Sequence, residues 1–162
     1  MNFLEFEIIE FNEHRPEHKA TFYSIKFKGE NKSEADKFFE KFEDIEKEKI
    51  ENISKKILLM IQKRGCSDSA FRLNESSPYN NICALWDGNL RLYCLRFGKV
   101  AVILGGGGIK DVNKYQDSEE LTRHVKNLEM VYEPIINRII NEKELFVLDN
   151  KLEGNFKFNK EE

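Results

Sequence analysis

Apolar positions along the chain recur with two different periods, and the switches between them mark the elements. Residues 3–10, FLEFEIIE, and residues 20–27, ATFYSIKF, are rich in aromatic and β-branched types. In the second run Phe22 and Ser24 fall on one side, with Tyr23, Ile25 and Phe27 on the other, the period-2 pattern of a strand. Two strands are therefore predicted, joined by the polar NEHRPEHK. Gly29 and the Glu-Asn-Lys after it close the second strand, and Ser33, with Asp36 three residues on, offers a helix N-cap. The period then lengthens. Ala35, Phe38, Phe39, Phe42 and Ile45 recur every three or four residues, and so do Ile50, Ile53, Ile57, Leu58 and Ile61. This spacing predicts two helices in an antiparallel hairpin, the second closed by Lys63, Arg64 and Gly65.

From Cys66 to Asn81 the chain is rich in Ser, Asn, Asp and Pro and reads as loop, with Ala70–Leu73 a short extended piece. Ile82–Trp86 reads as strand, Asp87-Gly88 as a turn, and a further strand begins at Leu90. Within RLYCLRFGKVAVILGGGGIK, residues 91–110, Gly98-Lys99 suits a two-residue hairpin turn with glycine first. That turn would pair Phe97 with Val100, Leu95 with Val102, Tyr93 with Leu104 and Arg91 with Gly106. One face would then carry Tyr93, Leu95, Phe97, Val100, Val102 and Leu104, and the other Leu92, Cys94, Ala101 and Ile103. Beyond the meander, Asp117-x-x-Glu120 reads as a capping box, and Leu121, Val125, Leu128 and Tyr132 keep helical spacing. Pro134 is expected to end or kink this helix, with Ile135, Ile136, Ile139 and Ile140 continuing it. The tail LFVLDNKLEGNFKF predicts one or two short edge strands, with a turn at Asp149-Asn150.

Composition bounds the answer without changing these elements. At 162 residues, 40% hydrophobic and 34% charged, the chain suits one domain with its own core and a well-solvated surface. No apolar run reaches the roughly 18 residues of a membrane span. The start, MNFLEFEIIEF, has acids where a signal peptide has lysines, so a cytoplasmic location is expected. Cys66, Cys83 and Cys94 form no CxxC pair and have no histidines at ligand spacing, which predicts reduced thiols, no metal and no cofactor. The net charge of −3 offers no global attraction to nucleic acid, so binding of that kind must be local. Between residues 90 and 114, Arg91, Arg96, Lys99, Lys110 and Lys114 stand against Asp111 alone. That excess favours an anionic ligand at the meander.

The four glycines before Lys110 do not form a nucleotide loop. A phosphate-binding P-loop requires Lys-Ser or Lys-Thr directly after its last glycine, whereas Gly108 is followed by Ile-Lys-Asp. No helix start follows them as a dinucleotide fold requires. Two readings of Arg91 stay open. Facing a glycine, its guanidinium has room to meet an anion with bidentate donors, with Lys110 entering from the same end. Alternatively it snorkels to solvent at the sheet margin, and the glycines mark a bulge or a close backbone approach.

The order of strand, helix hairpin, loop, three-stranded meander and helix resembles the RelE/HigB superfamily of bacterial toxin–antitoxin toxins. The resemblance is carried by Arg91-Leu-Tyr93, Val100–Leu104, Gly108-Ile-Lys110 and Lys114-Tyr115, within residues 71–132. It implies an α+β, RelE-like fold over residues 1–162 in a single domain: an antiparallel or mixed sheet whose central β-meander is packed by an N-terminal helical hairpin and a C-terminal helix. Residues 20–27 would be an extra strand and residues 134–162 a C-terminal extension. It further implies a type II toxin acting as a ribosome-dependent mRNA endoribonuclease, cleaving RNA by metal-independent attack of the 2′-hydroxyl. The partners would be an antitoxin protein, mRNA and the ribosome. The implied catalytic residues are Arg91 and Lys110 at the phosphate, Tyr115 as stacking group or proton donor, and His124 as acid or base. Arg72, Arg96, Lys99 and Lys114 would bind RNA. For His124 the residues themselves favour a half-buried place at the helix margin, and Arg96 also reads as a solvated edge charge. The chain departs from the family in having no lysine between Asn80 and Leu85 and in being acidic overall. A different class of reading is a catalytically silent protein of the same fold that binds a protein partner, or a phage or mobile-element protein.

Overall fold

The computed structural model describes residues 4–72 and 82–159. Eight strands and three α-helices follow in the order β1 (Phe6–Glu10), β2 (Thr21–Phe27), α1 (Glu34–Phe42), α2 (Lys47–Leu59), β3 (Ile82–Asp87), β4 (Leu90–Phe97), β5 (Ala101–Ile109), α3 (Glu119–Ile140), β6 (Leu145–Val147), β7 (Leu152–Gly154) and β8 (Lys157–Phe158). The fold is α+β. Six strands form one mixed sheet in the order β3-β4-β5-β2-β1-β8, and β6 and β7 form a separate antiparallel pair. β2 runs parallel to β5, with Thr21 opposite Ala101 and Ser24 opposite Leu104, and every other pairing is antiparallel. A parallel pair needs a long crossover. Here α1, α2 and the β3–β4 hairpin supply it, so β2 lies inside the sheet rather than appended to it.

Each face of the sheet has its own core. On one, Phe38, Phe42, Ile53 and Ile57 of the two N-terminal helices meet Phe22, Leu85, Leu92, Val102 and Leu104. On the other, Leu121, Val125, Leu128, Val131 and Ile135 of α3 meet Tyr23, Ile25, Tyr93, Leu95 and Ile103, with Leu145 and Leu152 of the β6–β7 hairpin. Burying each large apolar side chain contributes about 1.5–3 kcal/mol, and this double-sided burial is what the two helical stripes exist to supply. Ser33 caps α1 as predicted, accepting the amide of Asp36 at 3.1 Å. Ile45 and Leu58, predicted on the apolar stripe, are 68% and 51% exposed because α1 ends at Phe42 and Leu58 turns off the buried row. α2 runs into a π-helical turn, Met60–Arg64, that stops at Gly65 with φ +68°.

Three expectations along the meander and α3 require correction. The β4–β5 turn holds three residues, Gly98–Val100, so Phe97 pairs with Ala101 and Leu95 with Ile103. A one-residue change of register reverses a strand's faces. Ala101 and Ile103 therefore face α3, and Val102 and Leu104 face α1 and α2. Between Leu92 and Cys94 the pairing slips by one more residue on β5, so Arg91 lies opposite Gly108 rather than Gly106. The cap of α3 is Ser118, whose hydroxyl accepts the Leu121 amide at 3.2 Å, one residue later than the Asp117 box. Past the cap, helix α3 runs through Pro134 to Ile140, the continuation that Ile135, Ile136, Ile139 and Ile140 predict, held to the sheet by buried Val131 and Ile135 on either side. Arg72 bridges to Ala84 as an extended residue, and the rest of the expected loop, 73–81, lies outside the described residues. Among the described residues no helix is long and apolar enough to cross a membrane, and no group of three metal-ligating side chains occurs.

Candidate functional site

Strand pairing brings Arg91 and Lys110 to one end of the meander. Leu90 pairs with Ile109, and the Lys110 amide donates to the Asn89 carbonyl at 2.7 Å. Arg91 has Trp86 on one side and Gly108 on the other. Its residue is only 7% exposed, and its guanidinium donates to the carbonyls of Gly88 at 2.7 Å and Leu90 at 3.3 Å. The arginine thus closes the β3–β4 turn as well as edging the glycine gap. Tyr115, in a 3-10 turn before α3, sets its ring edge-on to that of Tyr93, with centroids 6.2 Å apart. Burial, with the Glu129 charge in support, pushes its hydroxyl above the usual phenol range. Tyr115 is thereby held as the neutral phenol and is a weaker acid than a free tyrosine.

The glycines do their work under α3. A methyl on Gly105 would meet Leu128 at 2.9 Å, one on Gly106 would enter the His124 imidazole, and one on Gly108 would meet the Glu120 carboxylate and Leu121. The missing side chains form a seat for the first two turns of the helix, so the close-approach reading of the glycines is the one realised. His124 lies above Gly106 and lines a cleft of ≈ 330 Å³. The rim is set by Glu34, Lys37 and Lys41 of α1 and Arg123 of α3, and neither Arg91, Lys110 nor Tyr115 lines it. Burial, helped by the Arg123 charge, pushes the imidazole down to about 4, so it is neutral at pH 7. Lys37 ion-pairs with Glu30 and with buried Glu34, both at 2.6 Å, and Lys41 with Glu120 at 3.0 Å. The two carboxylates outweigh burial and raise Lys37. These α1 residues belong to what the periodicity reads as a solvated helix face, and nothing in their spacing signals a cleft wall.

The remaining basic candidates lie elsewhere. Arg96 sits near the opposite end of β4, about 16 Å from Arg91 at ordinary strand rise. It is no solvated charge: its guanidinium donates to the Cys66 carbonyl at 2.8 Å and to Asp68 at 2.7 Å, and stacks on Phe71 with 4.7 Å to the ring centroid. Lys99 is exposed in the turn, and its carbonyl accepts the Cys66 amide at 2.8 Å. Arg72 lies 5.7 Å from the Trp86 ring centroid, and Lys114 is exposed ahead of the 3-10 turn. The five cations that looked like one patch in sequence are divided between two ends of a hairpin. Comparison of the chain with protein-family models, curated proteins and solved structures returned no match.

Proposed function

We propose that the protein is a RelE/HigB-like toxin of a type II toxin–antitoxin module that cleaves mRNA, with its phosphate site at the Arg91–Lys110 end of the meander. The observation that carries this reading is that strand pairing sets Arg91 and Lys110 at the same end of the meander, Arg91 opposite Gly108 and the Lys110 amide on the Asn89 carbonyl. The order strand, helical hairpin, meander and helix, here β1, α1, α2, β3, β4, β5 and α3 with β2 added after β1, supports it too, being the order on which the resemblance rests. In the reaction the 2′-hydroxyl oxygen attacks the adjacent phosphorus and gives its proton to solvent water, the P–O5′ bond breaks to leave a 2′,3′-cyclic phosphate, and the 5′-oxygen takes a proton. The cationic groups hold the charge developing on the phosphoryl oxygens, and Tyr115 is the proton donor. His124, neutral in a cleft of its own, stands outside this set. Ribosome dependence and the antitoxin partner are carried by the resemblance alone.

A second reading is favoured by one observation: Arg91 is buried and spends two donor contacts on carbonyls, as an arginine with a structural task does. The protein would then be a catalytically silent binder of the same fold. Inducible expression of wild type, Arg91→Ala/Lys110→Ala and Arg91→Lys separates the two, with thermal unfolding of each purified protein as the folding control. The toxin reading expects arrest of growth and protein synthesis by wild type, relieved by the double substitution in a protein that still folds. Equal, harmless behaviour of all three would sink it and leave the silent binder.

A further inference from the structure

On the α2 side of the sheet, a pocket of ≈ 280 Å³ opens where α2, its π-helical end and the edge strand β3 meet. Its apolar wall is the indole of Trp86 with Leu59 and Ala70, and its polar wall is Lys56, Arg64 and the hydroxyls of Ser67 and Ser69. Among the described residues no carboxylate lines it. The other clefts described each carry at least one, in a chain with 29 acids against 26 Lys and Arg. Asp68, the acid nearest in sequence to the two serines, is held by Arg96 at 2.7 Å.

The cations here are poised rather than consumed. Lys56 sets its ammonium 4.2 Å from the Trp86 ring centroid and donates to the Trp86 carbonyl, which leaves two of its three donors. Burial foremost lowers it, with the Asp87 charge opposing and Arg91 adding to the fall. Arg64 is exposed and has no hydrogen-bond or ion-pair partner among the described residues. Ser67 and Ser69 satisfy one another at 3.1 Å, an exchangeable bond on an exposed loop. The π-helical turn that carries Arg64 is a distortion that recurs at functional sites. An aromatic wall beside unpaired cations and hydroxyls is the chemistry that recognises a ring joined to a phosphate.

We propose that this pocket binds one nucleotide unit, the base against Trp86 and Leu59 and the phosphate between Lys56, Arg64 and the serine hydroxyls. The source is either a free nucleotide or one unit of a single-stranded RNA. The inference stands apart from the cleavage reading, since it uses none of Arg91, Lys110 and Tyr115.

Trp86 is the single tryptophan of the chain and reports on the pocket directly. The 162-residue protein is titrated with adenosine and uridine 5′-monophosphate, adenosine, inorganic phosphate and a short single-stranded RNA, following intrinsic fluorescence. The expected result is a saturable change with the monophosphates or the RNA, weak with adenosine, and competed by phosphate. Arg64→Gln should weaken it about tenfold, the worth of one charge-assisted hydrogen bond. Arg64 is exposed and unpartnered, so this variant keeps the fold; Lys56→Gln, checked by its urea midpoint, is the second. RNA binding much tighter than either mononucleotide assigns the strand, and equal affinities assign the free nucleotide. Absence of any saturable change, or affinity indifferent to Arg64→Gln, overturns the proposal. Lys110→Ala and Tyr115→Phe, at residues that line no part of this pocket, should keep the fluorescence response, so loss of the toxin reading and loss of this one are told apart.

Discussion

A single histidine shows how far a side chain's behaviour departs from its type. His124 follows the pattern of a helix-margin residue, yet it sits on a floor without side chains and beside Arg123, and burial holds it neutral down to about pH 4. Its folded value lies below the unfolded one, so between about pH 6.5 and about 4 the unfolded chain binds a proton that the folded chain does not. Stability tied to this group is complete above the upper limit and falls as the pH drops through the window. The whole shift, discounted for the water that still reaches the half-buried residue, corresponds to about 1–2 kcal/mol. Urea unfolding at pH 7 and pH 4.5 should show that loss in wild type, and His124→Gln should lose less by that amount. Identical pH dependence in the two proteins would contradict the assignment. Arg96 makes the same point from the other side. Its position on an alternating strand is legible, whereas its bonds to Cys66 and Asp68 require a loop thirty residues away to be folded against it.

Among the elements, the pairing of α3 with β5 decides most. Helical periodicity locates α3 and strand periodicity locates β5, but which glycine receives which helix residue follows from the three-residue turn and the slip beside Tyr93. Gly106→Ala should cost about 1–3 kcal/mol, the usual range for overpacking, because its methyl enters the His124 ring. Adding His124→Ala should recover most of that loss. Gly107→Ala is different in kind, since its methyl would meet the Arg91 backbone, with the carbonyl carbon 2.8 Å away. No helix substitution should rescue it. Thermal melts of the three singles and the two double variants with His124→Ala check this, and rescue of Gly107→Ala by His124→Ala would refute the seat.

The molecule as a whole buries its three thiols. Cys66, Cys83 and Cys94 are at most 1% exposed, with the sulfurs of Cys83 and Cys94 3.7 Å apart across β3 and β4. Burial pushes Cys66 up to about 12 and Cys94 well above the ordinary thiol range. Since the thiolate is the reactive form, Ellman's reagent at pH 8 should find no fast thiol in the native protein and three after denaturation. A native thiol reacting within minutes would show that the double-faced core opens.

What the chain determined alone is the order of β1–β5 and of the three α-helices, most of the helices' buried stripes and the Ser33 cap, because each rests on contacts within a few residues. Propensity and period are local quantities. Only the tertiary structure decided that β2 lies beside β5, that the six cations Arg72, Arg91, Arg96, Lys99, Lys110 and Lys114 divide between separate regions, and that Lys56, Arg64 and Trp86 share one pocket. These are juxtapositions across tens of residues. They depend on register, where one residue in a turn reverses a face, and on which face a crossover covers, and neither leaves a periodic trace in sequence.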